Sequence, residues 1–150
     1  MIPCRLSFKK TNYWRLLRGS MEGLDTSKSL ILGPQRFFRL EGASFVLDTV
    51  KDIELLKKAI KRIKEYDNTT EVYIVTYPQL TKRIVYADNI LVRTGMGTDA
   101  IRELFSTYKE IQPSSIDRMT EEEKDSAEWI DLNKESYYDD CSNIYSIYWD

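Results

Sequence analysis

The chain contains no histidine, and that absence narrows its chemistry more than any residue it holds. Histidine is the side chain that titrates near neutral pH, so Ser–His and Cys–His nucleophile pairs are excluded. Carboxylate, lysine and tyrosine chemistry survive. Cysteine is scarce as well: Cys4 and Cys141 stand at opposite ends of the chain with no CxxC partner. A structural zinc site takes about four Cys or His ligands, so no metal is expected. Two free thiols in a reducing cytoplasm are expected, and nothing requires a disulfide between them. P-loop, HExxH, GxSxG and EF-hand patterns are all absent, and no cofactor is expected. Met1-Ile2-Pro3-Cys4-Arg5 lacks the apolar stretch of a signal peptide. The aliphatic run Ile90-Leu91-Val92 falls far short of the roughly 20 apolar residues that span a bilayer. A cytoplasmic location without membrane contact follows as the expectation, and Asn68-Thr69-Thr70 is then a chance match to a glycosylation acceptor.

What is present describes an ordinary globular chain with unusual aromatic content. The 150 residues suit one domain with a genuine core. Hydrophobic residues make up 42% and charged residues 31%, which argues against disorder throughout. Aromatics reach 12%, with ten Tyr, five Phe and three Trp. Tyrosine serves half-buried sheet faces and partner surfaces equally well.

Charge is sorted along the chain. Residues 1–115 carry 19 basic and 13 acidic side chains, a net +6, whereas residues 116–150 carry 3 and 11, a net −8. The change falls near Gln112-Pro113-Ser114-Ser115.

Periodicity supplies the elements. A short strand over Met1–Phe8 and a helix capped by Asn12 open the chain, and residues 19–34, rich in Gly, Ser, Thr and Pro, read as loop. Arg36–Leu40 and Ser44–Leu47 around Glu41-Gly42-Ala43 suggest a hairpin. Ile53, Leu56, Ile60 and Ile63 form an apolar stripe at helical spacing, with Thr49 as N-cap, so a helix is expected over about 50–66. Val72–Tyr77 is apolar on both faces, as an interior strand is. Ile84–Ala87 and Ile90–Arg93 are strand-like, joined by an Asp88-Asn89 turn or fused into one long strand. Ile101, Leu104, Phe105 and Tyr108 mark a second amphipathic helix. Thr120 and Glu123 make a capping box for an acidic helix carrying Trp129, Ile130 and Leu132. Residues 143–150 form a last strand or a docked aromatic tail. Together these predict an α+β domain: a mostly antiparallel sheet of about four to six strands, two amphipathic helices on one face, and an acidic helical C-terminal region.

Three groups of residues invite a functional reading. Gly95-Met96-Gly97-Thr98-Asp99-Ala100 matches G-x-G-x-x-A at a strand-to-helix turn. The second strand with an acidic ribose ligand that a dinucleotide fold needs is missing. Turn geometry is the stronger reading, and a simple anion site with Arg93, Gly95, Gly97, Thr98 and Arg102 the weaker. The N-terminal cluster Arg5, Lys9, Lys10, Trp14, Arg15 and Arg18 combines cations with an aromatic ring, as nucleic-acid surfaces do, although an ordinary amphipathic segment explains it better. Lys51, Lys57, Lys58, Lys61, Arg62 and Lys64 form a cationic helix face of the kind that water usually solvates.

The acidic segment combines Glu121, Glu122, Glu123, Asp139 and Asp140 with Trp129, Tyr137, Tyr138, Tyr148 and Trp149. Charge steers a cationic partner and aromatics supply desolvated anchors. The sequence therefore points first to a non-enzymatic protein that binds a basic protein partner through this region. An inhibitor, an immunity protein, or a viral or mobile-element protein mimicking nucleic-acid charge would fit. The alternative is a nucleic-acid or phosphate-ligand binder using the basic N-terminal portion, and carboxylate or tyrosine catalysis comes third.

Overall fold

The computed structural model describes residues 29–79, 82, 84–120, 122–123, 127–129 and 144–150. The expected N-terminal strand and helix, Cys4, Cys141 and most of the acidic segment lie outside the described residues.

The chain begins its described course with β1 (Ser29–Leu32), inside the stretch read from sequence as loop. Leu30, Ile31 and Leu32 are all buried, and an apolar run covered on both faces makes an interior strand even between Gly and Pro signals. Pro34 then opens α1 (Pro34–Arg39), because proline at the first helical position has its φ set for the helix and no N–H to lose. This corrects the expected hairpin: Arg36–Arg39 is helical, and only Leu40, its C-cap, is extended. Gly42 does sit at a turn, with φ 86°, a conformation favouring glycine. The strand after it, β2 (Ala43–Phe45), pairs in parallel with a later strand and not with the preceding segment.

The 15-residue helix α2 (Val50–Lys64) follows the expected bounds to within two residues. Thr49 Oγ1 accepts the Asp52 N–H at 3.1 Å, which satisfies one orphan amide of the first turn. Leu56, Ala59, Ile60 and Ile63 are buried along its stripe, and each fully buried Leu or Ile contributes roughly 1.5–3 kcal/mol. The turn Asp67-Asn68-Thr69-Thr70 leads into β3 (Glu71–Gln79). Asp67 Oδ1 accepts from the Thr69 amide (2.9 Å) and from the Thr69 (2.7 Å) and Thr70 (3.0 Å) hydroxyls. Those bonds, the Thr69 hydroxyl foremost, hold the Asp67 carboxyl below its usual pKa.

Next comes β4 (Ile84–Arg93), one continuous strand of ten residues. Asp88-Asn89 is therefore not a turn; it lies inside the strand. Helix α3 (Thr98–Ser106) follows, then a 3₁₀ turn (Lys109–Ile111), β5 (Ser115–Arg118), β6 (Ala127–Trp129) and β7 (Ile144–Tyr148). The Thr120–Glu123 box forms: the Glu123 amide donates to Thr120 Oγ1 at 3.2 Å and Glu123 Oε1 accepts from the Thr120 amide at 3.3 Å. Trp129, however, lies on a strand and not on a helix. The C-terminus is a strand followed by the buried Trp149.

These strands form one seven-stranded sheet with the path β5-β7-β4-β3-β1-β6, and β2 attached to β4. The β1–β3, β3–β4, β4–β7 and β5–β7 pairs are antiparallel, and β1–β6 and β2–β4 are parallel. The mostly antiparallel α+β architecture is thus as expected. The three described helices contribute to one core on one face of the sheet, through Phe37 of α1, Leu56, Ile60 and Ile63 of α2, and Ile101 and Phe105 of α3. The opposite face holds a smaller apolar group of Ile31, Val75, Leu91, Met119 and Ile144.

Candidate functional site

β4 is the strand on which the site is built. One edge pairs with β3 along its whole length, while the other is shared: residues 85–87 face β2 and residues 89–93 face β7. The seam is closed by two amides, Val46 N–H donating to Ala87 O and Trp149 N–H donating to Asp88 O, each at 2.9 Å. At the same level the register with β3 slips. Val75 is opposite Asn89 but Thr76 is opposite Ala87, so Asp88 is the extra residue of a bulge. A bulge re-aims side chains that strict alternation would separate.

Alternation places Val85 and Ala87 in the helix-covered core, so Tyr86 belongs to the other face. Tyr77 pairs with Tyr86 on β3, and Tyr148 pairs with Asn89 on β7. Tyr77, Tyr86, Asn89 and Tyr148 therefore share, around the bulge, the face opposite the one that the described helices cover. Tyr77 is 43% exposed, and Tyr86, Asp88, Asn89 and Tyr148 are half-buried. Asp88 Oδ1 and Asn89 Oδ1 are buried and accept no hydrogen bond among the described residues; the Asn89 amide donates to Ser146 Oγ at 3.2 Å.

Electrostatics ties the group together. Burial pushes the Asp88 carboxyl above its usual pKa. Burial is also the main cause that raises Tyr77, Tyr86 and Tyr148, and the Asp88 charge adds to all three. Asp150 acts on Tyr86 and Tyr148, and Glu123 on Tyr77. The phenols are consequently hydroxyl donors and ring surfaces, not bases, at neutral pH. The result is an acceptor-rich patch with aromatic walls and a negative field, the chemistry that suits an ammonium or guanidinium group.

Among the sequence-selected residues, Tyr148 and Glu123 join this patch. Glu122 is exposed. Trp149 is 2% exposed, its indole N–H donates to Ile111 O at 2.9 Å, and its ring meets Phe45 and Phe105 edge-on. It is a core residue, without the exposed ring that a partner anchor needs. Glu121, Tyr137, Tyr138, Asp139 and Asp140 lie outside the described residues, as does the Trp129 side chain. So do Arg5, Lys9, Lys10, Trp14, Arg15 and Arg18.

The glycine turn has no feature that calls for glycine. Neither Gly95 nor Gly97 has positive φ, a Cβ on Gly97 would meet nothing within 4 Å, and one on Gly95 would only touch Tyr66. The first turn of α3 already holds Asp99, and Gly97 offers no side-chain cap. Arg93 ends β4 half-buried, and Thr98 and Arg102 lie on α3, Arg102 exposed. Thr94 Oγ1 meets Thr70 Oγ1 at 3.0 Å and accepts the Met96 amide at 3.2 Å, so these threonines tie the turn to the start of β3.

Sequence reasoning missed Tyr77, Tyr86, Asp88 and Asn89. The available signal was a polar Asp-Asn pair inside the otherwise apolar run 84–92, which the sequence left open between a turn and one long strand.

Among the described residues no group of His, Cys, Asp or Glu side chains is arranged to hold a metal, and no helix is long and apolar enough to cross a membrane. No family model, curated protein or solved structure matches the chain.

Proposed function

We propose that the protein is a non-enzymatic binding module that takes a lysine or arginine side chain of a cationic protein partner onto the tyrosine-lined patch at the β4 bulge. The observation that carries this reading is Asp88, whose buried Oδ1 has no hydrogen-bond partner among the described residues, beside Asn89 Oδ1 in the same condition. A buried acceptor without a donor costs roughly 1–3 kcal/mol, and a guanidinium supplies five donors in a planar fork. Tyr77, Tyr86 and Tyr148 offer ring faces for the cation, a contact contributing about 0.5–2 kcal/mol. The surrounding carboxylates Asp150 and Glu123 add the long-range attraction that speeds encounter.

A fluorescent deca-arginine peptide, titrated at two ionic strengths, tests this. Saturable binding should weaken with salt and fall about tenfold in Asp88→Asn, since hydrogen bonds to charged groups contribute about 1.5–3 kcal/mol. Replacing Glu121, Glu122 and Glu123 together with Gln should mainly slow association, because unburied charges act on the encounter. Unchanged affinity in Asp88→Asn would overturn the proposal, and a loss confined to the triple Gln variant would move the site to the acidic segment.

A further inference from the structure

We infer a second, chemically opposite binding site: the cleft between α1 and α2 takes a small phosphorylated ligand with a planar ring, of mononucleotide type. The cleft has a volume of about 540 Å³ and is lined by Pro34, Gln35, Phe38, Arg39, Lys57, Ile60, Lys61, Lys64 and Glu65. That volume falls within the range of small-molecule sites. Four of the nine lining residues are cations and one is an acid, so the cleft concentrates positive charge that a solvated helix face would spread. Its apolar walls are Phe38 and Ile60, one from each helix. Lys57 Nζ stands 5.1 Å from the Phe38 ring centre, so a cation already rests on the aromatic ring that lines the cleft.

Side-chain cations, and not the helix dipoles, decide where the phosphate sits. Arg39 and Lys61 lie in the last turns of α1 and α2, where the negative helix end is unfavourable to an anion by about 0.3–1 kcal/mol at an exposed site. Lys57, one turn before Lys61, faces the cleft with them, and the three charges together outweigh that cost. Besides the Phe38 ring, Lys57 meets Glu54 in an exposed pair at 3.3 Å, its side chain 44% exposed, and such pairs contribute about 0–1 kcal/mol. It can therefore leave both Glu54 and the Phe38 face when a planar ring stacks there, and turn to the phosphate. This site shares no residue with the β4 patch and does not depend on its role.

Titration with a fluorescent N-methylanthraniloyl derivative of AMP, and its displacement by AMP, adenosine and inorganic phosphate, tests the inference. AMP should displace the probe, with adenosine and phosphate each at least about tenfold weaker because each lacks half of the recognition. Arg39→Ala combined with Lys61→Ala should reduce affinity at least about tenfold, Lys64→Ala should do less, and Lys58→Ala nothing. All these positions are exposed, so the variants should keep the wild-type melting temperature. Phe38→Leu, which keeps the apolar wall but removes the ring, should bring AMP down to the level of phosphate. No saturable binding, equal displacement by phosphate and AMP, or indifference to the Arg39/Lys61 pair would each overturn the inference. So would a decameric oligo-dA that binds far more tightly than AMP with a steeper salt dependence, which would mark a strand-binding surface.

Discussion

Asp88 is the residue whose substitution says most about the protein. Its carboxyl is raised by burial, so the folded state holds the proton more tightly than the unfolded one. By linkage, its contribution is most favourable when protonated and declines as pH rises from the usual 3.8 through the raised folded value. Asp88→Asn should therefore raise the melting temperature at pH 7 and leave it nearly unchanged well below pH 3.8. A variant that melts lower than wild type at pH 7 would show that the charge stabilises the fold. Asp67 works in the opposite sense: its lowered carboxyl gives stability above 3.8 that is lost as pH falls through the folded value. Acid titrations of the two Asn variants should thus diverge in sign. Trp149 makes a different prediction. Because it is enclosed by Phe45, Phe105 and the Ile111 carbonyl, Trp149→Ala should cost about 3–5 kcal/mol in chemical denaturation.

Two elements respond to substitution in ways their packing dictates. On α2, Ile60 is 5% exposed while Lys58 faces solvent. Ile60→Ala should cost on the order of 2–5 kcal/mol, and Lys58→Ala less than about 0.5 kcal/mol. Equal denaturation midpoints would refute the assigned face. At the entry to α3, the absence of positive φ or crowding at Gly95 means that Gly95→Ala should be neutral or stabilise by up to about 1 kcal/mol, by narrowing the unfolded ensemble. A loss greater than 1 kcal/mol would show that the turn needs glycine after all. The G-x-G-x-x-A match thus describes composition at a strand-to-helix junction, since the backbone freedom and close approach that give such glycines a role are missing here.

At the scale of the whole molecule, the two faces of the sheet divide the work. One face buries the core under the three described helices; the other carries Tyr77, Tyr86, Asp88, Asn89 and Tyr148 around the bulge. The last strand joins the two, since Ile147 and Trp149 enter the main core while Tyr148 looks the other way. Removing residues 144–150 takes away the strand between β4 and β5, exposing two edges and deleting four buried side chains, Ile144, Tyr145, Ile147 and Trp149. The truncated chain should lose its cooperative unfolding transition.

Local physics made much of this legible before any coordinates. The α2 stripe, its Thr49 cap, the double-sided apolar run of β3 and the helix through Ile101 and Phe105 are each encoded by neighbours in sequence, because helix and strand periods act over a few residues. Three readings needed the tertiary structure. Leu30-Ile31-Leu32 became a strand because β3 and β6 lie on either side of it, partners about 45 and 100 residues away. Asp88-Asn89, open on local chemistry between a turn and one long strand, was held inside a strand by pairing with β3 on both sides of the bulge. Whether Tyr148 or Trp149 faced the core was set by the register of β7 on β4, where a one-residue slip would exchange them. Periodicity is written in adjacent residues, but which face is covered depends on distant ones.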